Sequence, residues 1–582
     1  MSYRILGFSL AHDASVCVIC DGELEYFGKE ERYTREKRDK QPFLAVQKAI
    51  DAAKGPIDAA VLQSPTHNPS SSDVFRCFIC KTLNIDRQNQ WVDMTSEHHL
   101  SHAFNAYNNS GFDGTALTFV IDRDGSQIYD PLDGFIEVDD NGKYDVDHVG
   151  RECESVYLMK QPASYRALHK AFWMRNATFV RSKGHNKDGQ NTGWNALVKH
   201  LRAKFVCDDI SIRSGYGITK VYESATTMIG EGPLENGKTM GLASYGRPKD
   251  FPPLFFGSTP IDQFLCHEGW VVGVASMEYP ILDKVTERNF QPYADWAYHV
   301  QKETQQAVNH LVQKYVAKTG VKDVVMTGGY SLNVVANQYL IEQNPDVNFY
   351  FEPNADDTGN AIGAALFVYK LNTGDTKRLK LNDTFYHSLE EQEPLTIGKS
   401  ATSRDIADLI VARRSVAIYD GQPEAGPRAL GHRSILFDPR QADARDRVNI
   451  IKKREWYRPF AGVILEEYFE EYFETLGLKS SPNMTVNFKA KQKAIDECPG
   501  IIHVDGTCRI QTVTSGYMCE VLREFHNNTG VPVLMNTSFN MAGEPLVHTK
   551  EDALKTLDNS VLDYVYFVQD DKLVGSLDRK SL

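Results

Sequence analysis

Three histidines stand within six positions of the segment EHHLSHAFNAYNNSGF, residues 97–112. Two of them, His98 and His102, are four residues apart. If the segment is helical, residues i and i+4 lie on one helix face, so both imidazoles can reach the same point. Two neutral imidazoles at this spacing are a common half of a divalent-metal site. The same spacing also occurs on solvated helix faces, so the pair alone leaves both interpretations open.

Two acidic residues are candidates to complete such a site. Asp122 follows the apolar run LTFVI, and Asp357 opens the segment DTGNAIGAA, where Gly359 allows close backbone approach. Two imidazoles and two carboxylates suit a divalent metal such as Fe, Mn or Zn. Taken singly, each aspartate is also a typical helix cap or turn residue. Asp124 and Asp356 are the local rivals.

Glycine-punctuated segments point to a nucleotide. VKDVVMTGGYSLNVVANQYLIEQ predicts a strand, the pair Gly328 and Gly329, then Asn333 and a helix. In α/β folds this arrangement holds phosphates at a helix N-terminus. ENGKTMGLASYG, residues 235–246, is a second segment of this kind. Glycine pairs are also common in ordinary turns.

Cations gather in loops of the second half of the chain. The segments GPRALGHRS, IKKREWYRPF, DGTCRIQTV and NTSFN place them beside amide and hydroxyl donors. Such a set suits a triphosphate and a second small anion; the alternative is a set of surface ion pairs. The residues are Arg428, Arg433, Lys452, Lys453, Arg454, Arg458, Arg509, Asn536, Thr537, Ser538 and Asn540.

Length and composition set broad limits. A chain of 582 residues predicts two or more domains, and 42% hydrophobic with 24% charged residues is typical of a soluble globular protein. No apolar run approaches membrane-spanning length, and the N-terminus lacks a basic segment followed by an apolar core, so we expect a cytoplasmic protein. Ten scattered cysteines fit a reducing compartment. The pairs Cys17/Cys20 and Cys77/Cys80 lie in apolar sequence, which favours buried structural thiols over zinc ligands.

The order of predicted elements indicates α/β units. YRILGFSL and ASVCVICDGELEYFGKE predict a strand and a hairpin-like return, and TALTFVIDRDG predicts a strand that ends in acids. The polar residues 373–405 predict a connection between a domain at 1–372 and a domain at 406–582. No internal repeat is visible in the sequence.

Residues 159–205 form a basic segment within an acidic chain. It carries ten Lys or Arg and one acid, a charge of +9, so the remainder of a chain of net charge −13 carries −22. Basic residues interleaved with aromatics suit a nucleic-acid backbone and an unstacked base. A solvated insertion or a dimer contact is equally open. The aromatics are Tyr165, Phe172, Trp173, Phe179, Trp194 and Phe205.

Ten short segments, in order along the chain, resemble those of a known family. HDASV, EERYTREK, HHLSHA, GKTMGLASYG, TGGYSLN and DDTGNAIGAAL, followed by GPRALGHRSILFDPR, IKKREWYRPFAG, DGTCRIQTV and GVPVLMNTSFNMAGEPLV, resemble in order the signatures of the O-carbamoyltransferases of nodulation-factor, cephamycin and tobramycin biosynthesis. The match runs from about residue 5 to residue 570. The segment between Asp122 and GKTMGLA is longer than expected of antibiotic-type relatives, and the extra length coincides with the basic segment.

The resemblance implies two active sites. An N-terminal actin-like domain, similar to tRNA-threonylcarbamoyltransferases, would transfer a carbamoyl group at an iron or other divalent-metal site. A C-terminal α/β domain, similar to threonylcarbamoyl-adenylate synthases, would form carbamoyl-adenylate from carbamoyl phosphate and ATP, with Mg²⁺ expected beside ATP. Carried over by motif, the metal ligands are His98, His102, Asp122 and Asp357, the residues near the transferred group are His12 and Lys37, and the activating-site residues are Arg428, Lys452, Arg458, Arg509, Asn536 and Ser538.

Two rival functions fit the sequence less well than O-carbamoyl transfer. A hydrogenase-maturation carbamoyltransferase would show an acylphosphatase domain and closely spaced zinc-finger cysteines, and the sequence shows neither. An actin-like nucleotide-binding interaction protein would leave the cation-rich second domain unexplained.

For the acceptor, the basic segment favours 5-hydroxymethylcytosine in DNA, with the hydroxyl of a small antibiotic, sugar or nodulation factor as the alternative. A homodimer is compatible with the family, and the sequence does not decide it.

Overall fold

The structure is a computed structural model. The basic segment is described only at its two ends, and its Arg181, Lys183 and Lys187 lie outside the described residues. The described residues are 2–65, 69–86, 88, 90–128, 150–174, 201–213, 217–251, 253–255, 281–379, 381 and 384–576.

The first sheet is built from the N-terminal hundred residues. Its strand order is β3-β2-β1-β4-β5, with β1, β2 and β3 antiparallel and β4 and β5 parallel to β1. The predicted strand and hairpin are confirmed. The strands are β1 Arg4–Ser9, β2 Ser15–Cys20, β3 Glu23–Lys29, β4 Ala59–Gln63 and β5 Trp91–Asp93, and the helices are α1 Glu30–Thr34, α2 Phe43–Ala52 and α3 Pro69–Leu83.

The second sheet has the order β10-β9-β8-β6-β11-β12, with β7 paired to β8. The predicted strand, glycine pair and helix around residue 328 are confirmed. The strands are β6 Ala116–Ile121, β7 Gln127–Ile128, β8 Gly150–Lys160, β9 Ser164–Met174, β10 Cys207–Arg213, β11 Asp323–Thr327 and β12 Asn348–Phe351, and the helices are α4 His98–Asn109, α5 Ile218–Met228, α6 Asn236–Ala243, α7 Phe290–Thr319, α8 Val334–Gln343 and α9 Asn360–Thr373.

The two sheets repeat one topology. In the second sheet β6, β8 and β9 are antiparallel in the way that β1, β2 and β3 are, and β11 and β12 lie parallel to β6 as β4 and β5 lie parallel to β1. Such a duplicated α/β unit is the expected actin-like architecture. Strands β7 and β10 of the second sheet have no counterpart among the described strands of the first.

The third sheet contains both parallel and antiparallel strand pairs and has the order β16-β17-β15-β18-β14-β13-β19-β20. Its strands are β13 Val416–Tyr419, β14 Arg433–Phe437, β15 Ala461–Leu465, β16 Asn487–Lys489, β17 Thr507–Val513, β18 Val533–Ser538, β19 Tyr564–Phe567 and β20 Lys572–Gly575. Its helices are α10 Ser403–Val411, α11 Ala444–Lys452, α12 Phe469–Tyr472, α13 Gln492–Glu497, α14 Tyr517–Thr529 and α15 Lys550–Asp558, and short 3-10 turns lie at Gly329–Leu332, Asp357–Gly359, Glu466–Tyr468 and Pro499–Ile501. No helix among the described residues is long and apolar enough to cross a bilayer.

Helices α4 and α9 lie in close backbone contact between the two N-terminal sheets. A Cβ on Gly363 of α9 would collide with the carbonyl oxygen of Ser101 on α4, and a Cβ on Gly359 would collide with the Asn105 side chain. The glycine and alanines of the segment NAIGAAL, at the start of α9, therefore permit the approach. This contact brings the N-terminal half of α4 beside the turn that precedes α9.

Gly363→Ala should destabilise the protein because the added methyl group has no space between α4 and α9. We expect the free energy of unfolding to fall by about 1–3 kcal/mol in chemical denaturation. Gly237→Ala is the matched control, since nothing lies within 4 Å of a Cβ added there in α6. Equal unfolding midpoints for the two variants would contradict the close contact.

Candidate metal and nucleotide site

Four buried side chains converge where α4 meets the ends of β6 and β12. Nε2 of His98 lies 3.2 Å from Oδ1 of Asp357 and 3.4 Å from Oδ2 of Asp122, and Nε2 of His102 lies 3.2 Å from Oδ1 of Asp357. One ligand atom from each of the four residues lies within 4.8 Å of every other. The predicted helix begins at His98, so the i,i+4 pair does point to one place.

The structure separates these aspartates from their local rivals. Asp124 turns away from the histidines and forms ion pairs with Arg123 at 3.3 Å and Lys220 at 3.7 Å. Asp356 accepts a hydrogen bond from the backbone N–H of Thr358 at 3.1 Å and caps the following turn. Among the described residues, the four-residue set is the cluster with metal-ligand geometry.

The donor set fits a divalent metal. Although two carboxylates are near, Nε2 of His98 makes no hydrogen bond of acceptable geometry, so this buried atom is free to bind a cation. Burial lowers the pKa of His98, but Asp357 and Asp122 outweigh it and raise that pKa to about 10. Paired carboxylates that hold a proton on histidine are also suited to hold a metal ion in its place.

The glycine pair supports a ligand residue. Gly328 has a φ of +83°, and a Cβ there would collide with the backbone of Ile121. The N–H of Gly329 donates to Oδ1 of Asp122 at 3.1 Å. The side-chain oxygen Oδ1 of Asn333 caps α8 by accepting a hydrogen bond from the backbone N–H of Ala336, so this oxygen is already occupied. The pair therefore orients Asp122 and places Gly329 and Asn333 on the wall of a cavity.

His12 lies beside the four-residue cluster. Its Nδ1 is 2.7 Å from Oδ2 of Asp13 and 3.8 Å from Oδ2 of Asp357. Burial lowers the pKa of His12, but Asp357 and Asp13 raise it to about 9. Lys29 in turn holds Asp13 at 3.5 Å. Lys37 sits at the mouth, 3.9 Å from Glu235, and burial lowers the pKa of Lys37.

Cations from the third sheet face this cluster. Burial and Arg458 lower the pKa of Arg428 to about 10, and burial with Arg458 and Arg509 lowers the pKa of Arg454 to about 9. The pKa of Arg509 is also well below its usual value because of burial and Arg428. Like charges that depress one another in a buried site indicate that an anion belongs among them.

Lys452 is enclosed by oxygen atoms of the segment that follows β18. Its ammonium group donates to the hydroxyl of Ser538 at 3.1 Å, to the side-chain oxygen of Asn540 at 2.7 Å and to both backbone carbonyls. Arg454 reaches the same hydroxyl at 3.3 Å. Asn536 is buried behind them, donating to the carbonyl of Ala429 at 3.2 Å, and so shapes the loop rather than the cavity wall.

One cavity of about 370 Å³ joins the two clusters. At one end lie His12, Asp122 and Asp357, and at the other lie Arg428 and Arg458, with Arg454, Ser538 and Asn540 beside them. Ion pairs tie its rim across the domains, because Lys238 of α6 contacts Glu455 at 2.8 Å. Sequence patterns do not predict the site positions of Asp13, Lys29, Glu235 or Lys238. A carboxylate directly after His12 was the one local signal.

Two further predictions have mixed outcomes. Cys17 is buried and Cys20 and Cys80 are partly buried, as expected of structural thiols, but Cys77 on α3 is exposed, so its predicted burial was wrong. In the basic segment, Phe172, Trp173 and Phe205 are packed in the core rather than exposed for stacking. Lys170 is buried against Glu152.

Comparison with known proteins is consistent with this two-part site. Residues 407–572 match the model described as Carbamoyltransferase C-terminus, and residues 280–366 match Carbamoyltransferase N-terminus. Both matched regions, one in the N-terminal and one in the C-terminal part of the chain, are similar to the carbamoyltransferase family. The predicted family resemblance is confirmed.

Relatives of this chain include nodulation proteins. NolNO of Sinorhizobium fredii is 32% identical over 367 residues, which cover 59% of this chain and 53% of the relative. NolO of Bradyrhizobium diazoefficiens is 32% identical over 365 residues, which cover 59% of this chain and 66% of the relative. The chain thus spans between half and two thirds of the length of these relatives. Among solved structures, full-length HypF in the phosphate- and nucleotide-bound form has a TM-score of 0.38 and 13% identity, covering 64% of this chain and 56% of that one.

His98→Ala should remove metal binding, because it deletes one of four converging ligands. After incubation with Fe²⁺ or Mn²⁺ and desalting, we expect about one ion per wild-type chain by elemental analysis and an affinity more than about 100-fold weaker in the variant. Asp124→Asn is the control, since Asp124 lies nearby but outside the cluster. Full metal content in His98→Ala, or loss in Asp124→Asn, would refute the ligand assignment.

Proposed function

We propose that this protein is an ATP-dependent O-carbamoyltransferase. At the C-terminal end of the cavity, water hydrolyses carbamoyl phosphate to carbamate and phosphate, and a carbamate oxygen then attacks the α-phosphorus of ATP to give carbamoyl-adenylate and pyrophosphate. An acceptor hydroxyl then takes the carbamoyl group at the N-terminal end, and AMP leaves. The observation that supports this proposal most strongly is the cavity whose lining includes both the arginine cluster and Asp122 and Asp357 of the two-histidine, two-aspartate cluster.

The cation cluster would serve activation. A triphosphate and carbamoyl phosphate bring several negative charges that repel one another. Arg428, Arg454 and Arg458 line the cavity, and Arg458 also pairs with Glu455 at 3.4 Å, so the three guanidinium groups are suited to hold the triphosphate beside the carbamoyl donor. Lys452 would fix Ser538 and Asn540 at the same wall. Mg²⁺ is expected to accompany ATP.

The histidine and aspartate cluster would serve transfer. His98, His102, Asp122 and Asp357 would hold Fe²⁺ or another divalent ion, which when bound supplies Lewis acidity toward the adenylate phosphate. His12 would accept the proton of the acceptor hydroxyl through Nε2, because Asp13 engages its Nδ1 and so sets the ring. Against burial, Asp357 and Asp13 raise the pKa of His12, so metal binding by Asp357 would weaken one of the two charges that favour the protonated imidazole.

The shared cavity would protect the intermediate. Carbamoyl-adenylate is a mixed anhydride that water can hydrolyse, so release into solvent would waste ATP. The rim ion pairs among Lys37, Glu235, Lys238 and Glu455 narrow the opening between the domains. An intermediate formed at the cation cluster therefore has a path to the second cluster inside the protein.

Arg458→Ala should stop activation but spare transfer. Because Arg458 faces the cavity from the third sheet, we expect pyrophosphate release to fall at least about 100-fold, while directly supplied carbamoyl-adenylate still carbamoylates the acceptor. Lys452→Ala should act in the same way, and transfer from supplied adenylate shows that the variant is folded. Lys453→Ala, at the neighbouring exposed lysine, is the control. Unchanged ATP turnover in both active-site variants would refute the assignment.

Two acceptor classes each have a supporting observation. The nodulation relatives favour a hydroxyl on a small molecule. The +9 charge of residues 159–205 favours 5-hydroxymethylcytosine in DNA, because a neutral small acceptor needs no such field. Phe172, Trp173 and Phe205 are buried and therefore do not support base stacking. The DNA hypothesis depends instead on the positive charge of residues 159–205.

Reversing Arg181, Lys183 and Lys187 to glutamate should decide between these acceptors. For DNA, we expect carbamoylation of hydroxymethylated duplexes to fall more than about tenfold and to become less dependent on salt, since fewer counterions are released on binding. Carbamoyl-adenylate formation should not change. The products are measured by mass spectrometry of digested DNA and of candidate sugars and antibiotics.

The control reverses three exposed cations of the C-terminal domain, Lys489, Arg523 and Lys555, and should leave DNA modification unchanged. If the wild-type enzyme carbamoylates a small hydroxyl compound and leaves hydroxymethylated DNA and its nucleotides untouched, the small-molecule acceptor stands. Equal losses in both triple variants would indicate only a general charge effect and would count against the basic segment.

A further inference from the structure

The short helix α1 and its C-cap, residues 30–35, make contacts that the proposed reaction does not use. The helix directly follows β3 of the first sheet. Its start is fixed there, because the carboxylate of Glu30 accepts two backbone N–H groups of α2 at 2.9 and 2.7 Å. Two arginines of the same segment, Arg32 and Arg35, donate instead to loops of the third sheet. Residues 30–35 therefore connect the first sheet to the third.

Arg32 holds the start of the loop that leads into β14, residues 424–432. Its Nη2 donates to the carbonyl oxygen of Glu424 at 3.1 Å and to that of Gly426 at 3.4 Å, and its side chain is almost fully buried. Arg428 lies two residues further along this loop and lines the first cavity. The position from which Arg428 reaches the cavity therefore depends on a residue of α1.

Arg35 holds the end of a second loop, residues 539–546, which follows β18. Its Nη1 donates to the carbonyl oxygen of Leu546 at 2.7 Å, and its Nη2 donates to that of Pro545 at 3.2 Å. Nε of Arg35 also lies 3.4 Å from a carboxylate oxygen of Asp552. Pro545 and Leu546 both line the first cavity, so Arg35 sets the position of a second part of its wall.

The backbone of Arg35 supports a role for its side chain. Arg35 has a φ of +63° and caps α1 through its own N–H, which donates to the carbonyl of Glu31. Glycine adopts this left-handed conformation without a steric cost, whereas a residue with a Cβ does not. The contacts that the guanidinium group makes with the third sheet offset that cost.

We propose that Arg32 and Arg35 are positioning residues for the activating centre, the cation cluster formed by Arg428, Arg454 and Arg458. The inference rests on the proposed function. Both arginines act through backbone carbonyls of the two loops. Without these hydrogen bonds a loop would sample several positions, and only the fraction already in place would bind ATP well.

The same segment also reaches the histidine and aspartate cluster. Lys29 directly precedes α1 and lies 3.5 Å from Asp13, which in turn lies 2.7 Å from Nδ1 of His12. One stretch of seven residues, 29–35, thus contacts groups beside both proposed reaction centres. A displacement of this stretch would change the spacing between the two centres.

Arg35→Gly removes the side chain and leaves a residue that suits the left-handed C-cap. We expect the KM for ATP in pyrophosphate release to rise about tenfold and kcat to change less than about threefold, because saturating ATP selects the loop position that binds it. Arg35→Lys keeps a cation that can donate to both carbonyls and should bring KM back to within about threefold of the wild type. The Mn²⁺ content of both variants should match the wild type.

These measurements separate positioning from a general effect on folding. Partial unfolding would lower kcat and Mn²⁺ content together, and Arg35→Lys would not restore KM alone. Either that pattern or an unchanged KM in Arg35→Gly would overturn the assignment of Arg35.

Hydrogen exchange measured by mass spectrometry locates the effect without depending on catalysis. In Arg35→Gly, the backbone amides of residues 539–546 should exchange at least about tenfold faster, and those of residues 424–432 should exchange as in the wild type. Arg32→Met keeps the apolar stem and removes the donors, so it should show the reverse pattern.

Arg38→Gly is the matched control for exchange. Arg38 also has a positive φ, +62°, but its side chain contacts Leu234 at 2.7 Å and Glu235 at 3.1 Å rather than the third sheet. Both loops should therefore exchange in this variant as they do in the wild type. If the wild type releases no pyrophosphate, the proposed function fails and the exchange rates alone decide the positioning roles. Unchanged exchange in both loops, or equal acceleration throughout the chain, would refute those roles.

Discussion

The close backbone contact between α4 and α9 is the constraint on which the metal-type cluster depends. Gly363 lies against Ser101 and Gly359 lies against Asn105, with no space for a Cβ at either glycine. Asp357 immediately precedes α9 and His102 lies one residue beyond Ser101, so this contact sets the 3.2 Å between their side chains. A wider helix separation would leave the imidazoles and the carboxylates as unpaired buried groups.

The charges in the cavity follow from burial combined with opposite signs at its two ends. At the N-terminal end, aspartates keep His12 and His98 protonated when no metal balances them. At the C-terminal end, burial lowers the pKa of Arg428 and of Arg454, and Arg458 lowers both further because desolvated cations oppose one another. Each end is therefore incomplete without a ligand of the opposite sign. A phosphate beside a divalent cation, and phosphates among arginines, would complete both.

Much of this site could be predicted from the sequence because its rules are local. Four-residue spacing on a helix and a carboxylate after a strand are visible in one sequence, and they selected His98 and Asp122. The choice between Asp357 and Asp356 depends on backbone direction, which spacing does not show. Lys170 looked like part of a nucleic-acid surface because its partner Glu152 is brought beside it only by strand pairing. The duplicated sheet was hidden for a similar reason, since strand order is not a sequence pattern.

The two chemistries explain why one cavity, rather than two separate sites, is suited to this chain. Phosphate activation needs dense positive charge, whereas loss of a proton from a hydroxyl needs a base and carboxylates nearby. These demands conflict at a single point, because arginines would suppress a basic imidazole and aspartates would repel triphosphate. Placing them at opposite ends of one enclosed space satisfies both. In the proposed reaction a phosphate-bearing intermediate would pass from the arginines toward the metal-type cluster without crossing bulk water, and the ion pair Lys238–Glu455 joins the two domains at the rim of that space.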